Sequence, residues 1–308
     1  MQVVRELAEV RSSVPSAVTF GNFDGVHLGH RALLAHVRRE ADRLGGPAAA
    51  VTFDPHPLTV LRPDRAPRAI DSLNLRLDNL AACGVDLAVV MGFDQTIAAQ
   101  SADWFARDVL FGALQARSLV VGPDTRFGRG GQGDVALLRR AAAEVGAEVQ
   151  AWSGVQVAGE VVSSSRVRRA IAAGELDLAA ELLSRPFTLD GEVVHGDHRG
   201  RTIGFATANL SAPQQIQPAA GVYACRMQLA DGTWHPAVTN CGMRPTFDGQ
   251  RWQVEAHLLD WSGDLYGQKR RLAFVRRLRG EQKFPSLAAL VAQIGADAQQ
   301  ARTILGGP

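Results

Sequence analysis

The stretch AVTFGNFDGVHLGHRALLAHVRREADRL, residues 17–44, passes from a short apolar run through a glycine-rich turn into a long amphipathic segment. The apolar run predicts a buried strand, and the segment after the turn predicts a helix. The same alternation recurs along the first half of the chain, in PAAAVTF before SLNLRLDNLAACG, DLAVVMGF before ADWFARDVLFGAL, and SLVVG before DVALLRRAAAEVG and EVQAW. This alternation predicts an α/β domain whose parallel sheet is covered by helices on both faces.

The second half of the chain has a different rhythm, with short segments separated by glycine, proline and aspartate. The segments TLDGEVVHG, GVYACRMQL, WHPAVTN, WQVEAHLLD and KRRLAFVRRLR predict the antiparallel strands of a small barrel. The tail SLAALVAQIGADAQQARTIL predicts a C-terminal helix. Between the halves, residues 163–186 predict two short helices that break at Gly174. We place the domain boundary near Pro186, with one domain over 1–186 and the other over 187–308.

The composition is typical of a globular protein. Hydrophobic residues make up 46% and charged residues 21% of the 308 residues, and a net charge of +2 does not favour nucleic acid as a partner. No apolar run reaches the length of a membrane span, and the charged N-terminal residues are unlike a signal peptide. Cys83, Cys225 and Cys241 show no CxxC spacing, so free thiols and a cytoplasmic location are expected. The sequence does not indicate an oligomeric state.

Two histidines, His27 and His30, lie three residues apart where the first strand gives way to the first helix. Glycines let this turn approach a ligand closely, and a helix that begins near Leu28 or Gly29 presents free N–H groups to an anion. Both imidazoles fall on one side of the first turn and can donate hydrogen bonds to the phosphate oxygens of a nucleotide under attack at its α-phosphate. A helix cap, a surface pair or a stray metal ligand is the alternative interpretation. A zinc site is disfavoured because no cysteine or third histidine recurs at ligand spacing.

A second candidate anion site is SSSRVR, residues 163–168. A serine can cap the helix that follows, the helix N-terminus attracts anions, and Arg168 can clamp a phosphate. An ordinary serine-capped helix with a solvated basic face is the alternative. The histidine pair follows the first predicted strand of the sheet, and SSSRVR follows the last one. Because the two patterns stand at opposite ends of the same predicted domain, together they support a phosphate-binding site more strongly than either does alone.

The motifs together resemble one family along nearly the whole chain. GNFDGVHLGH (21–30) and SSSRVR resemble the HxGH nucleotidyltransferase superfamily, and FDPHP (53–57) and VGPDTRFG (121–128) continue the resemblance. GEVVHGDHRGRTIGFATAN, GVY, TNCGMRPTF, VEAHLLD and LYG follow in order in the second half. The whole pattern resembles the prokaryotic bifunctional riboflavin kinase/FMN adenylyltransferase (FAD synthetase) family. It implies a Rossmann-like nucleotidyltransferase domain followed by a small antiparallel riboflavin-kinase β-barrel with a C-terminal helix.

For the first half, the resemblance implies transfer of AMP from ATP to FMN, which gives FAD and pyrophosphate. His27, His30 and Arg168 would be catalytic. The ATP molecule would contact a further set of residues: Gly21, Asn22, Phe23, Asp24, Gly29, Asp124, Ser164 and Ser165. A flavin pocket is implied at three more positions: Pro55, Pro57 and Phe127. Prolines also punctuate ordinary loops, which is the alternative for FDPHP.

For the second half, the resemblance implies transfer of the ATP γ-phosphate to riboflavin, giving FMN. Thr207 and Asn209 would bind Mg²⁺ together with the ATP phosphates, and Glu255 would be the general base. Phosphate contacts are implied in the loop GDHRGR: Gly196, Gly200 and Arg201. In isolation, Thr207 and Asn209 are typical of a turn or the end of a strand, and Glu255 is typical of an exposed strand position. The functional assignments of these residues therefore depend on the order of the motifs along the chain. The implied small molecules are ATP, riboflavin, FMN and FAD, with Mg²⁺ as cofactor.

Four positions depart from the family pattern. Ala206 replaces a proline, Thr125 an aromatic residue, Ser165 a threonine and Ser184 a glycine. Because proline would pre-set the backbone before the Mg²⁺-binding threonine, Ala206 is expected to loosen that loop. The alternatives are a protein of this fold with an impaired kinase site, a non-catalytic flavin- or nucleotide-binding regulator, and a different HxGH transferase. The implied catalytic side chains are all present, which argues against an impaired or non-catalytic protein. The predicted barrel in the second half argues against a different HxGH transferase, because those enzymes have no such domain.

Overall fold

The computed structural model describes most of the chain, in five ranges: residues 1–10, 14–195, 205, 207–246 and 249–306. The side chains of 244–246 and 249–251 are not described. No helix within these ranges is long and apolar enough to cross a membrane.

The packing divides the chain into two compact units. The first comprises Met1–Ala69 and Leu73–Ser163, and the second comprises Ile70–Ser72 and Ser164–Pro308. We call Ile70–Ser72 the strap, because these residues lie within the sequence of the first unit but pack with the second. The predicted domain boundary near Pro186 stays a prediction.

The first unit is built on a six-stranded parallel sheet, as the sequence predicts. Its strands are β1 (Gln2–Val4), β2 (Ser16–Phe20), β3 (Ala48–Asp54), β4 (Leu87–Gly92), β5 (Ala116–Val121) and β6 (Glu148–Ala151). They are arranged in the order β1-β4-β3-β2-β5-β6, and each pairing is parallel. A small antiparallel pair follows, with β7 (Gln156–Val157) and β8 (Glu160–Val161).

The helices of the first unit fill the connections between these strands. They are α1 (Leu28–Leu44), α2 (Pro57–Leu61), α3 (Leu73–Ala82), α4 (Gln95–Ala98), α5 (Ala102–Trp104) and α6 (Val135–Glu144). After α5 the chain continues in π-helical geometry over Phe105–Ala113. Three 3₁₀ turns lie at Leu7–Glu9, Pro63–Arg65 and Arg129–Gly131.

The sheet has a hydrophobic core on each face. Successive strand residues point to opposite faces, so Val51 and Val89 join one core while Ala50 and Ala88 join the other. The alanines leave room for α1, whose apolar stripe packs on that face: Leu33, Leu34, Val37 and Ala41. Each fully buried leucine of this stripe contributes about 1.5–3 kcal/mol. This packing fixes where α1 begins relative to the end of β2.

The second unit is the predicted antiparallel barrel, preceded by two helices and closed by one. The helices α7 (Ser164–Ala173) and α8 (Leu176–Leu183) break at Gly174, which has a positive φ of 76°. The barrel order is β10-β13-β12-β11-β14-β9. Its strands are β9 (Phe187–Val194), β10 (Ala208–Ser211), β11 (Gly221–Gln228), β12 (Trp234–Thr246), β13 (Gly249–Leu258) and β14 (Lys269–Arg279).

The barrel interior is filled by aromatic and aliphatic side chains. Phe274 lies between Phe187 and Tyr223, with ring centroids 5.7 and 5.3 Å away. The C-terminal helix α9 (Leu287–Leu305) packs Ala298 against the outside of β11 and β12. Side-chain packing therefore holds the C-terminal helix against the barrel.

The strap is held to the rest of the second unit by buried polar contacts. Arg185 donates two hydrogen bonds to the Asp71 carboxylate, at 2.6 and 2.8 Å, and the Asp71 side chain is fully buried. The Ser72 hydroxyl donates to the Asp190 carboxylate at 2.6 Å. The Gln215 amide donates to the strap carbonyl of residue 70 at 2.9 Å and accepts from the Asp190 N–H at 2.7 Å. These contacts give hydrogen-bond partners to polar groups of the strap, although the strap is far in sequence from Arg185, Asp190 and Gln215.

Candidate active sites

The first candidate site lies at the carboxyl ends of the parallel strands. Strand β2 lies between β3 and β5. The connection after β2 leads to β3 on one side, and the connection after β5 leads to β6 on the other side, so the two connections diverge here. Ligands of open α/β sheets bind at such a switch point. The loop that leaves β2 here is residues 21–27, which we call the phosphate loop.

The phosphate loop is buried and has an unusual backbone. Phe23 and Val26 have positive φ values of 46° and 36°, and Gly25 has 83°. Asp24 and His27 are only 3% and 5% exposed. Non-glycine residues adopt such φ values only where the surroundings impose them, and such positions concentrate at functional sites. The backbone conformation of this loop therefore indicates a functional site independently of the sequence motif.

His27 and His30 lie together at the start of α1. Nδ1 of His27 accepts a hydrogen bond from the His30 N–H at 3.3 Å and so caps the helix. The two rings stack with centroids 3.7 Å apart at 15°. Gly29 leaves room for this arrangement, because a Cβ there would lie 3.2 Å from the His27 ring, which is a tight contact. The predicted helix start is confirmed at Leu28, and the histidine pair is both a cap and a stacked pair of donors.

The electrostatics of the pair favour a neutral imidazole at His30. Burial, and then the nearby His27, hold the pKa of His30 well below its usual range. Because Nδ1 of His27 accepts a hydrogen bond, the neutral ring carries its proton on Nε2, which is a donor. Nδ1 of His30 is buried and has no hydrogen-bond partner among the described residues. The pair can therefore donate to an anion that docks at the N-terminus of α1.

Neighbouring residues hold the phosphate loop in place. The Asn22 amide lies 3.0 Å from Nε2 of His56, and the Thr52 hydroxyl donates to the Asn22 carbonyl at 3.2 Å. Arg76 donates to the Thr52 hydroxyl at 3.1 Å. The FDPHP motif pointed to this region, but nothing in the sequence singled out Thr52 or Arg76.

The other predicted residues of the first unit surround this edge of the sheet. Asp124 is exposed in a turn after β5, which the Thr125 N–H closes onto the Gly122 carbonyl at 3.2 Å. Pro55 is exposed, and Pro57 is the first residue of α2. All of them follow strands that flank β2.

Phe127 lies inside the first unit. It is 8% exposed and packs edge-on against Phe20, with a centroid distance of 5.5 Å, and also against Phe105. These contacts give it a packing role, and the flavin contact implied by resemblance stays a prediction.

Ser164, Ser165 and Arg168 lie on the first turns of α7. Ser164 and Arg168 are half-buried and Ser165 is exposed. The packing groups α7 with the second unit. Their contact with ATP phosphates stays a prediction.

The second candidate site is in the barrel. Asn209 on β10 lies directly opposite Glu255 on β13, so the two side chains are on the same face of neighbouring strands. Asn209 is 6% exposed, and its side-chain oxygen accepts a hydrogen bond from Gln253 at 2.5 Å. Thr207 stands just before β10. The barrel therefore brings Glu255 next to Asn209, although the two residues are far apart in the sequence.

A cavity of about 520 Å³ opens beside this row of residues. Thr207 and Ala208 line it together with a segment after β13 that runs from Trp261 to Tyr266. Tyr266 stacks on His195 with centroids 4.0 Å apart. Aromatic walls with a few polar groups suit a flat heterocycle. The LYG motif pointed to Tyr266, whereas Trp261 had no sequence signal.

Four predicted positions in this half lie outside the described residues: Gly196, Gly200, Arg201 and Ala206. Among the described residues, no group of three or more histidine, cysteine or acidic side chains could hold a metal ion.

The chain matches two family models and several characterised relatives. The FAD synthetase model matches residues 10–166, and the riboflavin kinase model matches residues 183–305. The bifunctional riboflavin kinase/FMN adenylyltransferase of Escherichia coli (strain K12) is 43% identical over 94% of this chain and 92% of the relative. The protein of that name from Pseudomonas fluorescens is 39% identical over 99% and 98%. A crystal structure described as a macrolide-efflux protein from Streptococcus pneumoniae superposes with a TM-score of 0.86, 30% identity and 98% coverage of both chains.

Proposed function

The chain belongs to the bifunctional riboflavin kinase/FMN adenylyltransferase family, and from this premise we propose which residues of each unit carry out its two reactions. One reaction transfers the γ-phosphate of ATP to riboflavin and gives FMN. The other transfers AMP from ATP to FMN and gives FAD and pyrophosphate. The observation that carries the residue assignment is the stacked pair of histidines at the N-terminus of α1.

In the first unit, the FMN phosphate attacks the α-phosphate of ATP. Negative charge then builds on the non-bridging phosphate oxygens, and the Nε2–H of His27 stabilises it by donating a hydrogen bond. The free N–H groups at the start of α1 add to this stabilisation. His30 stacks on His27 and supplies a second donor. A single well-placed donor of this kind contributes about 3–4 kcal/mol to the transition state.

In the second unit, Glu255 accepts the proton of the riboflavin 5′-hydroxyl as that oxygen attacks the γ-phosphate. Glu255 is half-buried and lies opposite Asn209, whose oxygen faces the same side of the barrel. The aromatic cavity beside it holds the flavin ring or the adenine. The proposed base and Asn209 therefore lie on adjacent strands.

Mg²⁺ fits the oxygen donors of this site. Thr207 and Asn209 offer a hydroxyl and an amide oxygen, which suit a hard cation that keeps several waters. No acidic cluster among the described residues would hold the ion without a nucleotide. We propose that Thr207 and Asn209 hold Mg²⁺ together with the ATP phosphates. The bound ion would neutralise charge on the phosphates during transfer.

The remaining assignments are also proposals. Arg168, Ser164 and Ser165 contribute to phosphate binding by analogy with the family motif. The protein acts in the cytoplasm on small molecules, which agrees with its three free cysteines.

Product analysis of two variants tests these assignments. The purified chain receives ATP and Mg²⁺ with riboflavin in one tube and FMN in another, and chromatography separates riboflavin, FMN and FAD. His27→Ala with His30→Ala should abolish FAD formation and still produce FMN. Glu255→Gln should show the reverse pattern. FAD formation by the double histidine variant would contradict the assignment of the first site, and FMN formation by Glu255→Gln at the rate of the unmodified chain would contradict that of the second.

A further inference from the structure

A buried arginine lies behind the phosphate loop. Arg76, in the first turn of α3, is 5% exposed, and its guanidinium donates to the Thr52 hydroxyl at 3.1 Å and to the Phe53 carbonyl at 2.8 Å. Its Nε is buried without a hydrogen-bond partner, and no carboxylate in the described part of the chain pairs with it. A guanidinium stays ionised, so burying it without an acidic partner costs free energy. We therefore expect the buried Arg76 guanidinium to have a role other than packing.

The hydrogen bonds of Thr52 connect Arg76 to the phosphate loop. The Thr52 hydroxyl has a single proton, and it accepts a hydrogen bond from Arg76. Its proton is therefore directed to the Asn22 carbonyl, 3.2 Å away. Asn22 immediately precedes Phe23, one of the two non-glycine residues in this loop that have positive φ. Arg76 thus fixes the main chain at the point where the strained part of the loop begins.

His56 holds the side-chain amide of Asn22. Nδ1 of His56 accepts a hydrogen bond from the Leu58 N–H at 3.1 Å, so the neutral ring carries its proton on Nε2. The structure places Nδ2 of Asn22 3.0 Å from this Nε2. Because two donors cannot pair, we assign the amide turned by 180°, with its oxygen accepting from His56. The NH₂ group of Asn22 is consequently directed away from His56. Asn22 is held at its carbonyl by Thr52 and at its side chain by His56.

We infer that Arg76 and Thr52 are positioning residues for adenylyl transfer, acting through Asn22 on the phosphate loop. The guanidinium and hydroxyl keep the loop in its strained backbone, so that the amide of Asn22 and the start of α1 face the ATP phosphates together. The uncompensated charge of Arg76 also favours an anion at this edge of the sheet. The inference rests on the proposed function of the first unit.

Thr52→Val tests the inference with little change of shape. Valine removes the hydroxyl that joins Arg76 to Asn22 and suits a buried strand. We expect kcat/KM for FAD formation from FMN to fall by about 10- to 100-fold, mainly in kcat, because the transition-state donors are displaced. Riboflavin phosphorylation by the same chain should not change. Thr19→Val is the matched control, since Thr19 is equally buried in the neighbouring strand and its hydroxyl has no hydrogen-bond partner among the residues that the structure describes.

Arg76→Met and the double variant with Thr52→Val complete the test. If Arg76 acts through Thr52, the double variant should lose less activity than the product of the two single losses. The assays are run well below each unfolding temperature, where a residue with only a structural role leaves kcat unchanged. Full FAD synthesis by Thr52→Val would overturn the inference even if Arg76→Met fails to fold. The double histidine variant separates the two ideas: if it still makes FAD, the proposed site is wrong, and if it does not while Thr52→Val is fully active, only the inference fails.

Discussion

Replacing Asp71 with asparagine should destabilise the second unit far more than removing a similar ion pair from its surface. The substitution leaves the Arg185 guanidinium without its carboxylate partner, and the Asp71 side chain is fully buried. Removing one partner of a buried pair costs about 3–5 kcal/mol. Because the Arg185 side chain is still 18% exposed and water can reach part of it, we take the lower end, about 3 kcal/mol. For a unit of this size that corresponds to a fall in the unfolding temperature of about 6–12 °C.

Asp260→Asn is the matched control for this prediction. The Asp260 carboxylate also accepts its hydrogen bonds from one arginine, Arg302, but the two side chains are 62% and 32% exposed. Asparagine also tolerates the positive φ of 53° at this position. Exposed pairs contribute about 0.2–1 kcal/mol, so this variant should lose only a few degrees. Unfolding of the second unit is followed by residual riboflavin phosphorylation after heating and by tryptophan fluorescence. Equal shifts in the two variants would refute the argument that burial sets the strength of the Asp71–Arg185 pair.

Three further predictions follow from groups in the two units. A bound phosphate should raise the lowered pKa of His30, so at pH values somewhat below about 6.5 the binding of a non-hydrolysable ATP analogue should take up protons. Calorimetry in two buffers of different ionisation enthalpy measures this uptake, and His30→Gln should reduce it. Burial raises the pKa of the Cys225 and Cys241 thiols, so iodoacetamide at pH 8 should modify the half-buried Cys83 first and the other two only after unfolding, as read by mass spectrometry. Glu255→Asp should retain some riboflavin phosphorylation where Glu255→Gln has almost none, because aspartate keeps a carboxylate base at a greater distance; equal rates in the two variants would contradict a role as base.

The fold and the position of the first site could be predicted from local patterns. The alternation of strands and helices gave the parallel sheet, and the short segments after Pro186 gave the barrel. The turn GNFDGVHLGH placed the start of α1 correctly, because glycines and a capping side chain act within a few residues of where they stand. Membership of the family confirms the two activities that the order of the motifs implied.

Features that depend on distant contacts could not be predicted in this way. Strand β1 has only three residues, and their partners on β4 lie far along the chain. Arg76 stands between leucines on a helix, where a charged residue usually faces solvent, and only its contacts with β3 show that it is buried. Phe127 has an aromatic side chain in a motif associated with nucleotide and flavin, and its place in the core depends on Phe20 and Phe105. Each of these features depends on a contact with a residue elsewhere in the sequence, and a local pattern does not identify that residue.

The strap also has a consequence for the order in which the chain is made. A ribosome synthesises Asp71 with the first unit, well before Arg185 leaves the exit tunnel. Until then the Asp71 carboxylate cannot pair with Arg185, and burying it without that pair would cost free energy. Docking of the strap becomes possible only when the second half of the chain has emerged. The second unit is therefore completed by joining a segment that is made early to segments that are made late.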